Sequence, residues 1–320
     1  MPVPLAQQAR ERTRQIGRMW TGWRDDRVGD DHRAPRRSAP VWLPTPLFVR
    51  LAYELILRRE PDEGGRRHYI DFLRDGTLSR SQMLDELRGS MEFRESVMVP
   101  DLTVSLHHSR CDFIRLLPPA RRIVDLGGTH QHDARGALVA FGYPYEFESL
   151  TIVDLPPEQR HAVYSESTLS GTVVTEKGPV TYQPGTMTDL GFLPDRSVDL
   201  VYSGQTIEHV TEEEGDRVLA EVARVLVPGG WFCLDTPNGP ACRRHQPGLI
   251  NDDHEIEYSD AELTAKLERH GFSIEVAMGL NHLGRQEGPG FDVDELVRNG
   301  GLYWDREQCY LLAYMARTPT

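Results

Sequence analysis

The sequence is poor in cysteine. Its four, Cys111, Cys233, Cys242 and Cys309, are too scattered for a paired metal-ligand spacing or a disulfide framework, so reduced thiols are expected. No uninterrupted apolar run is long enough to cross a bilayer, and no membrane association is expected. The first residues lack an apolar h-region and a small-residue cleavage site, so no secretory signal is read and a soluble, cytoplasmic protein is expected. Positive charge is also scarce: 36 Lys and Arg against 49 Asp and Glu leave a formal net charge of −13. That balance repels polyanions, which speaks against a nucleic acid partner, and draws in cationic small molecules.

What is present is an ordinary globular composition, 39% hydrophobic and 27% charged, over 320 residues, a length that favours a catalytic domain with a smaller accessory unit. Residues 1–40 mix Arg, Asp, Gly and Pro with few apolar positions, and Arg33 to Pro40 reads as a linker, so a flexible tail is expected there. Apolar positions then recur at helical spacing through Leu47, Phe48, Leu51, Ala52, Leu55 and Ile56, with Pro46 suited to the first turn and Pro61 to a stop. A second helix runs through Tyr69, Ile70, Phe72 and Leu73. A third opens at Ser79, whose hydroxyl caps it while Gln82 reaches back, and buries Met83, Leu84 and Leu87. These predict a small all-α module over residues 41–100. The stretch from Ala52 to Asp62 and on to Ser90–Phe93 resembles a short helical module of bacterial surface-associated and glycan-modifying proteins.

Residues 101–320 change character. After helices through Leu106 and Phe113, short apolar runs end in an acid at Ile123–Leu126 and Thr151–Asp154, as buried parallel strands do when they finish at a ligand crevice. Val198–Tyr202 and Trp231–Leu234 repeat the form, joined by a helix through Val218, Leu219, Val222, Val225 and Leu226 and a Pro228-Gly229-Gly230 turn. Ser259 and Glu262 form a capping box for a helix ended by Gly271; strands follow at Phe272–Val276 and Cys309–Met315. The expected fold class is α/β, a doubly wound Rossmann-like sheet behind the small helical domain.

Asp125-Leu126-Gly127-Gly128-Thr129 supplies a tight turn after the first strand, where glycine lets main chain approach a nucleotide-like cofactor. Asp154 ends the second strand, where a carboxylate can accept both hydroxyls of a ribose. With these come Gly185 to Leu190, Val198 to Val201, Ile207-Glu208-His209-Val210, Glu221 to Gly230, Thr236-Pro237-Asn238 and His254 to Tyr258. In this order the motifs resemble the class I S-adenosylmethionine-dependent methyltransferases. The resemblance implies S-adenosylmethionine as cofactor, held by Asp125, Gly127, Gly128, Thr129, Asp154, Leu155, Thr186, Met187, Ser203 and Gln205. Two departures stand out: Thr129, His130 and Gln131 replace the further glycines of the first motif, and Thr186 replaces an acid that commonly holds the adenine amino group.

On the acceptor side, His209 follows the fourth strand, and imidazole titrates near neutrality, which suits proton removal; Glu208 would orient it. His209 could equally cap the helix that begins near Thr211. The acidic run Asn251 to Glu257 suggests acceptor contacts from Asp252, Asp253 and His254, which could clamp ammonium groups, or a solvated loop ahead of a helix. No metal is assigned; a set of Asp252, Asp253 and His254 is the alternative. The preferred acceptor is a small polar molecule, a sugar or aminosugar, and best the amino group of an aminoglycoside antibiotic intermediate. O-methylation of a neutral or lipid-linked sugar and a non-catalytic scaffold are the rivals, and a homodimer is allowed.

Overall fold

The computed structural model describes residues 44–93, 96–97, 99–131, 133–159, 171–284 and 292–320. The tail expected over residues 1–40 lies outside the described residues. Three helices come first: α1 (Thr45–Ile56), α2 (Glu63–Asp75) and α3 (Arg80–Arg88). α1 has proline in its first turn, α2 is capped by Asp62, and α3 carries the Ser79–Gln82 capping box expected of it. Phe48, Val49, Ala52, Tyr53, Ile56, Met83 and Leu87 form a hydrophobic cluster of their own, with Tyr69, Ile70 and Leu73 packed against it.

Instead of two helices through Leu106 and Phe113 there is one, α4 (Val99–Ile114). It leads into strands β1 (Arg122–Leu126), β2 (Ser149–Asp154), β3 (Thr172–Val174), β4 (Pro179–Pro184), β5 (Val198–Gly204), β6 (Leu226–Pro237), β7 (Ser273–His282), β8 (Leu302–Tyr303) and β9 (Cys309–Arg317). Their order is β3-β4-β2-β1-β5-β6-β9-β7-β8. β4, β2, β1, β5 and β6 run parallel, and β9 enters antiparallel between β6 and β7.

Between them lie α5 (Gly136–Ala140), α6 (Glu212–Val225), α7 (Gly239–His245), α8 (Asp260–Arg269) and α9 (Val293–Arg298). Successive residues of a central strand alternate between two cores. Ile123, Ile152, Leu200 and Tyr202 pack with α4, α5, α7 and α9, while Val124, Val153 and Val201 pack with α6 and α8. Apolar cover on both faces explains why these strands read as continuous apolar runs.

Three features depart from the sequence expectation. The β3–β4 hairpin was not read, because its exposed, polar positions carry little alternation. The Pro228-Gly229-Gly230 turn lies inside β6 as an irregularity, with Gly229 at φ 72° donating its N–H to the Pro319 carbonyl; pairing with the chain terminus keeps it in the sheet. The two-residue β8 is too short to leave a periodic signal.

The sheet reverses its direction of growth between β1 and β5. Carboxyl-terminal ends of parallel strands at such a point form the ligand crevice of open α/β folds.

Candidate functional site

The loop after β1 is shaped by close approaches. Gly127 has φ 67°, and a Cβ there would collide with the Thr206 methyl; one at Gly128 would collide with the Asp125 carboxylate. A third glycine, Gly136 at φ 80°, closes the loop against Ile152 and the Gly128 carbonyl. The glycines absent at positions 129–131 are thus partly replaced by one placed after a longer loop. Asp125 is 1% exposed and accepts from the Leu138 N–H at 3.3 Å. Burial pushes its carboxyl up to about 8, although backbone N–H and the Arg110 guanidinium oppose the rise. Asp125 therefore braces the loop from beneath.

Asp154 stands at the end of β2, accepting from the Leu155 N–H at 2.8 Å and from the Thr129 N–H at 3.3 Å. The Thr129 hydroxyl is buried and has no hydrogen-bond partner among the described residues. Leu155 is exposed and Met187 half-buried; the Thr186 hydroxyl pairs with that of Thr188 at 2.9 Å. Ser203 is fully buried and its hydroxyl pairs with that of Thr206 at 2.5 Å, so its side chain supports the loop under Gly127. Gln205, at φ 58°, donates its amide to Asp235 at 2.9 Å.

That last contact belongs to a network the sequence did not disclose. Asp235, 0% exposed, accepts from the Arg110 Nε at 2.7 Å, the Gln205 amide and the Tyr202 hydroxyl. Burial works against the Arg110 charge, but Asp235 holds the guanidinium protonated, and burial and Asp235 together push the Tyr202 hydroxyl well up. Arg110 comes from α4, and no motif links it to a strand that lies more than a hundred positions later in the chain.

The acceptor-side residues assemble from three segments. Ile207–His209 form a single 3₁₀ turn after β5, with Glu208 fully buried beneath it. Its Oε2 accepts from the Thr236 hydroxyl at 3.0 Å, and its Oε1 is buried with no hydrogen-bond partner among the described residues. Burial pushes the Glu208 carboxyl up to about 7. The Glu208 carbonyl accepts from the N–H groups of Glu255 and Ile256, which ties the 251–257 loop over the turn.

From that loop His254 is buried and donates Nδ1–H to Glu257 at 2.8 Å, while the Asp253 carbonyl accepts from the His209 Nδ1 at 3.0 Å. The two imidazoles meet edge to face with centroids 4.9 Å apart. A carboxylate oxygen of Glu208 and one ring nitrogen each of His209 and His254 all lie within 4.8 Å of one another. Asp252 and Asp253 are exposed, so the acids expected against the acceptor stand at the rim while His254 turns inward. Thr236 and Glu257 complete this group; neither was singled out for a role.

Orphaned Thr129 Oγ1, the glycine-lined bend and a carboxylate at the end of β2 fit a nucleoside-bearing ligand. They define a Rossmann-like site at the sheet's switch point. Comparisons with known proteins give it a class. Residues 136–234 match the family model of a methyltransferase domain, and residues 44–97 that of a domain of unknown function (DUF4214). A probable S-adenosylmethionine-dependent methyltransferase of Mycolicibacterium smegmatis is 40% identical over 90 residues, 28% of this chain and 34% of that protein. Another, of Mycobacterium tuberculosis, is 38% identical over 116 residues, 36% of this chain and 39% of that one.

The chain thus spans little more than a third of the length of the curated relatives it matches. A chain from a Haloferax volcanii complex of the Trm112 methyltransferase activator with a protein assigned as a methyltransferase superposes with a TM-score of 0.50. It is 17% identical and covers 70% of this chain and 94% of its own, a likeness of fold. Residues 136–234, within the sheet region, are thus similar to methyltransferase domains, and the curated relatives that match are probable users of S-adenosylmethionine.

Proposed function

We propose that the chain is an S-adenosylmethionine-dependent methyltransferase acting on a hydroxyl of a small polar acceptor of the sugar class. When bound, S-adenosylmethionine supplies an electrophilic methyl group. Asp154 would hold its ribose diol, the Gly127–Thr129 loop its amino-acid end, and Leu155 and Met187 its adenine. The observation that carries the acceptor reading is the Glu208–His209–His254 group, drawn from the turn after β5 and the 251–257 loop, beside the Ser203–Thr206 pair under Gly127. Methyl transfer to a hydroxyl needs a group that lowers or takes the hydroxyl proton, and exposed His209 presents such a group at the crevice mouth.

An aminosugar amine is the second reading, favoured by the net charge of −13 and by the buried Glu208 Oε1, which could accept from an ammonium. The exposure of Asp252 and Asp253 weakens it, since solvated carboxylates hold a cation poorly. Incubation with methyl-labelled S-adenosylmethionine and a panel of neutral sugars and aminosugars tests both. Label on an oxygen supports the first reading and label on nitrogen the second. No transfer together with no calorimetric heat from S-adenosylhomocysteine would return the domain to a scaffold.

A further inference from the structure

Glu208, His209 and His254 share a chemistry that proton transfer alone does not require. Nδ1 of each histidine donates backward, to the Asp253 carbonyl and to the Glu257 carboxylate, so each ring carries its proton there. The lone pair of each imidazole is then on Nε2. A carboxylate or carbonyl behind the imidazole is the arrangement that fixes the tautomer of metal-ligating histidines and raises their basicity. Glu208 is turned the same way: Thr236 holds Oε2, and Oε1 is left buried without a hydrogen-bond partner among the described residues, a costly placement for a carboxylate oxygen. Ligands of one ion at ~2.1 Å stand ~3–4 Å apart, so atoms already within 4.8 Å need only small side-chain rotations.

We propose that Glu208, His209 and His254 bind a divalent cation of the first transition series or zinc, with Glu257, Asp253 and Thr236 orienting the three ligands. Two imidazoles and one carboxylate suit zinc or manganese, whereas magnesium and calcium prefer oxygen alone. Three protein ligands leave positions open toward the exposed side of His209, where a pair of neighbouring hydroxyls can chelate. The cation, in place of His209 itself, then activates the hydroxyl as a Lewis acid that lowers its pKa, a role that rests on the methyltransferase reading above, whereas the binding itself does not.

The test uses the full chain, dialysed against chelator and titrated with Mn²⁺ or Zn²⁺ by calorimetry, with Mn²⁺ also followed by electron paramagnetic resonance. One equivalent is expected. His209→Asn, an exposed position that should leave folding intact, and Glu208→Gln should each weaken the metal more than about tenfold, and Glu257→Gln about tenfold through His254. S-adenosylhomocysteine affinity should stay within twofold in all three. Absence of saturable metal binding, binding indifferent to His209→Asn and Glu208→Gln together, or a preference for Mg²⁺ would overturn the assignment. Metal binding without S-adenosylhomocysteine binding would remove the methyltransferase reading and leave the metal site standing.

Discussion

Asp235 and Glu208 are both fully buried carboxylates, linked through adjacent positions of β6, yet their surroundings are opposite. Asp235 is answered by Arg110, Tyr202 and Gln205, so its charge is compensated and its geometry locked. Glu208 has one hydroxyl from Thr236 and an oxygen without any hydrogen bond. A satisfied buried charge holds a structure together; an unsatisfied one marks a place where something else is to bind. The clamp fixes α4 to β5, to β6 and to the loop after β5, and the open carboxylate sits in the turn after β5 beneath the 251–257 loop.

The sharpest way to break this contrast is on the open side. His209→Ala should lower kcat about 10²–10⁴-fold while S-adenosylhomocysteine binding, measured by calorimetry, stays within twofold. On the clamp side the cost should be stability: Asp235→Ala strands the Arg110 guanidinium, side chain 10% exposed, and should lose about 3–5 kcal/mol in denaturant titration. Replacing both partners with apolar residues should recover much of that loss; if it does not, the clamp is more than an ion pair.

Asp154→Ala removes charge-assisted hydrogen bonds to the two donor hydroxyls, each worth about 1.5–3 kcal/mol, and should weaken S-adenosylhomocysteine about 10²–10⁴-fold with the midpoint of thermal unfolding little changed.

Asp125 extends the comparison to pH. Its folded-state pKa, about 8, lies above the ordinary 3.8, so the folded chain holds a proton that the unfolded chain has lost between those values. The stability it contributes is whole below the unfolded pKa and is lost as pH rises through about 8, with a slope of at most about 1.4 kcal/mol per pH unit. Asp125→Asn should flatten that fall in unfolding curves taken from pH 5 to pH 9; an unchanged curve would show the carboxyl is ionised in the folded state.

The smallest effect is expected at the rim. Asp252→Asn with Asp253→Asn should alter stability by under about 0.5 kcal/mol and the acceptor KM by less than twofold. A large rise in KM for an aminosugar would restore the acidic clamp.

The glycine bend after β1 and the acid at the end of β2 were legible in the sequence because their requirements are local. A bend without side chains after β1 and an acid at the end of β2 recur at fixed places in the chain, so Gly127 and Asp154 could be picked out by position. The same positional logic named Ser203, but that its hydroxyl pairs with Thr206 inside the core is seen only in the fold. His254 was named as an acceptor contact among exposed acids, but only the fold shows it turned from Asp252 toward His209 and backed by Glu257. Arg110 and Asp235 had no signal at all, since nothing in a helix of low amphipathic contrast marks one arginine as the partner of a distant strand.

Periodicity, capping residues and turn glycines, all short-range properties, were enough to determine from the sequence by itself the helical module, the buried parallel strands and the glycine bend after β1. Which carboxylate is neutralised and which is left open was decided only by the tertiary structure. Burial and partnership are properties of space: two acids that look alike along the chain differ because folding brings a guanidinium to Asp235 and a distant imidazole, that of His254, to Glu208.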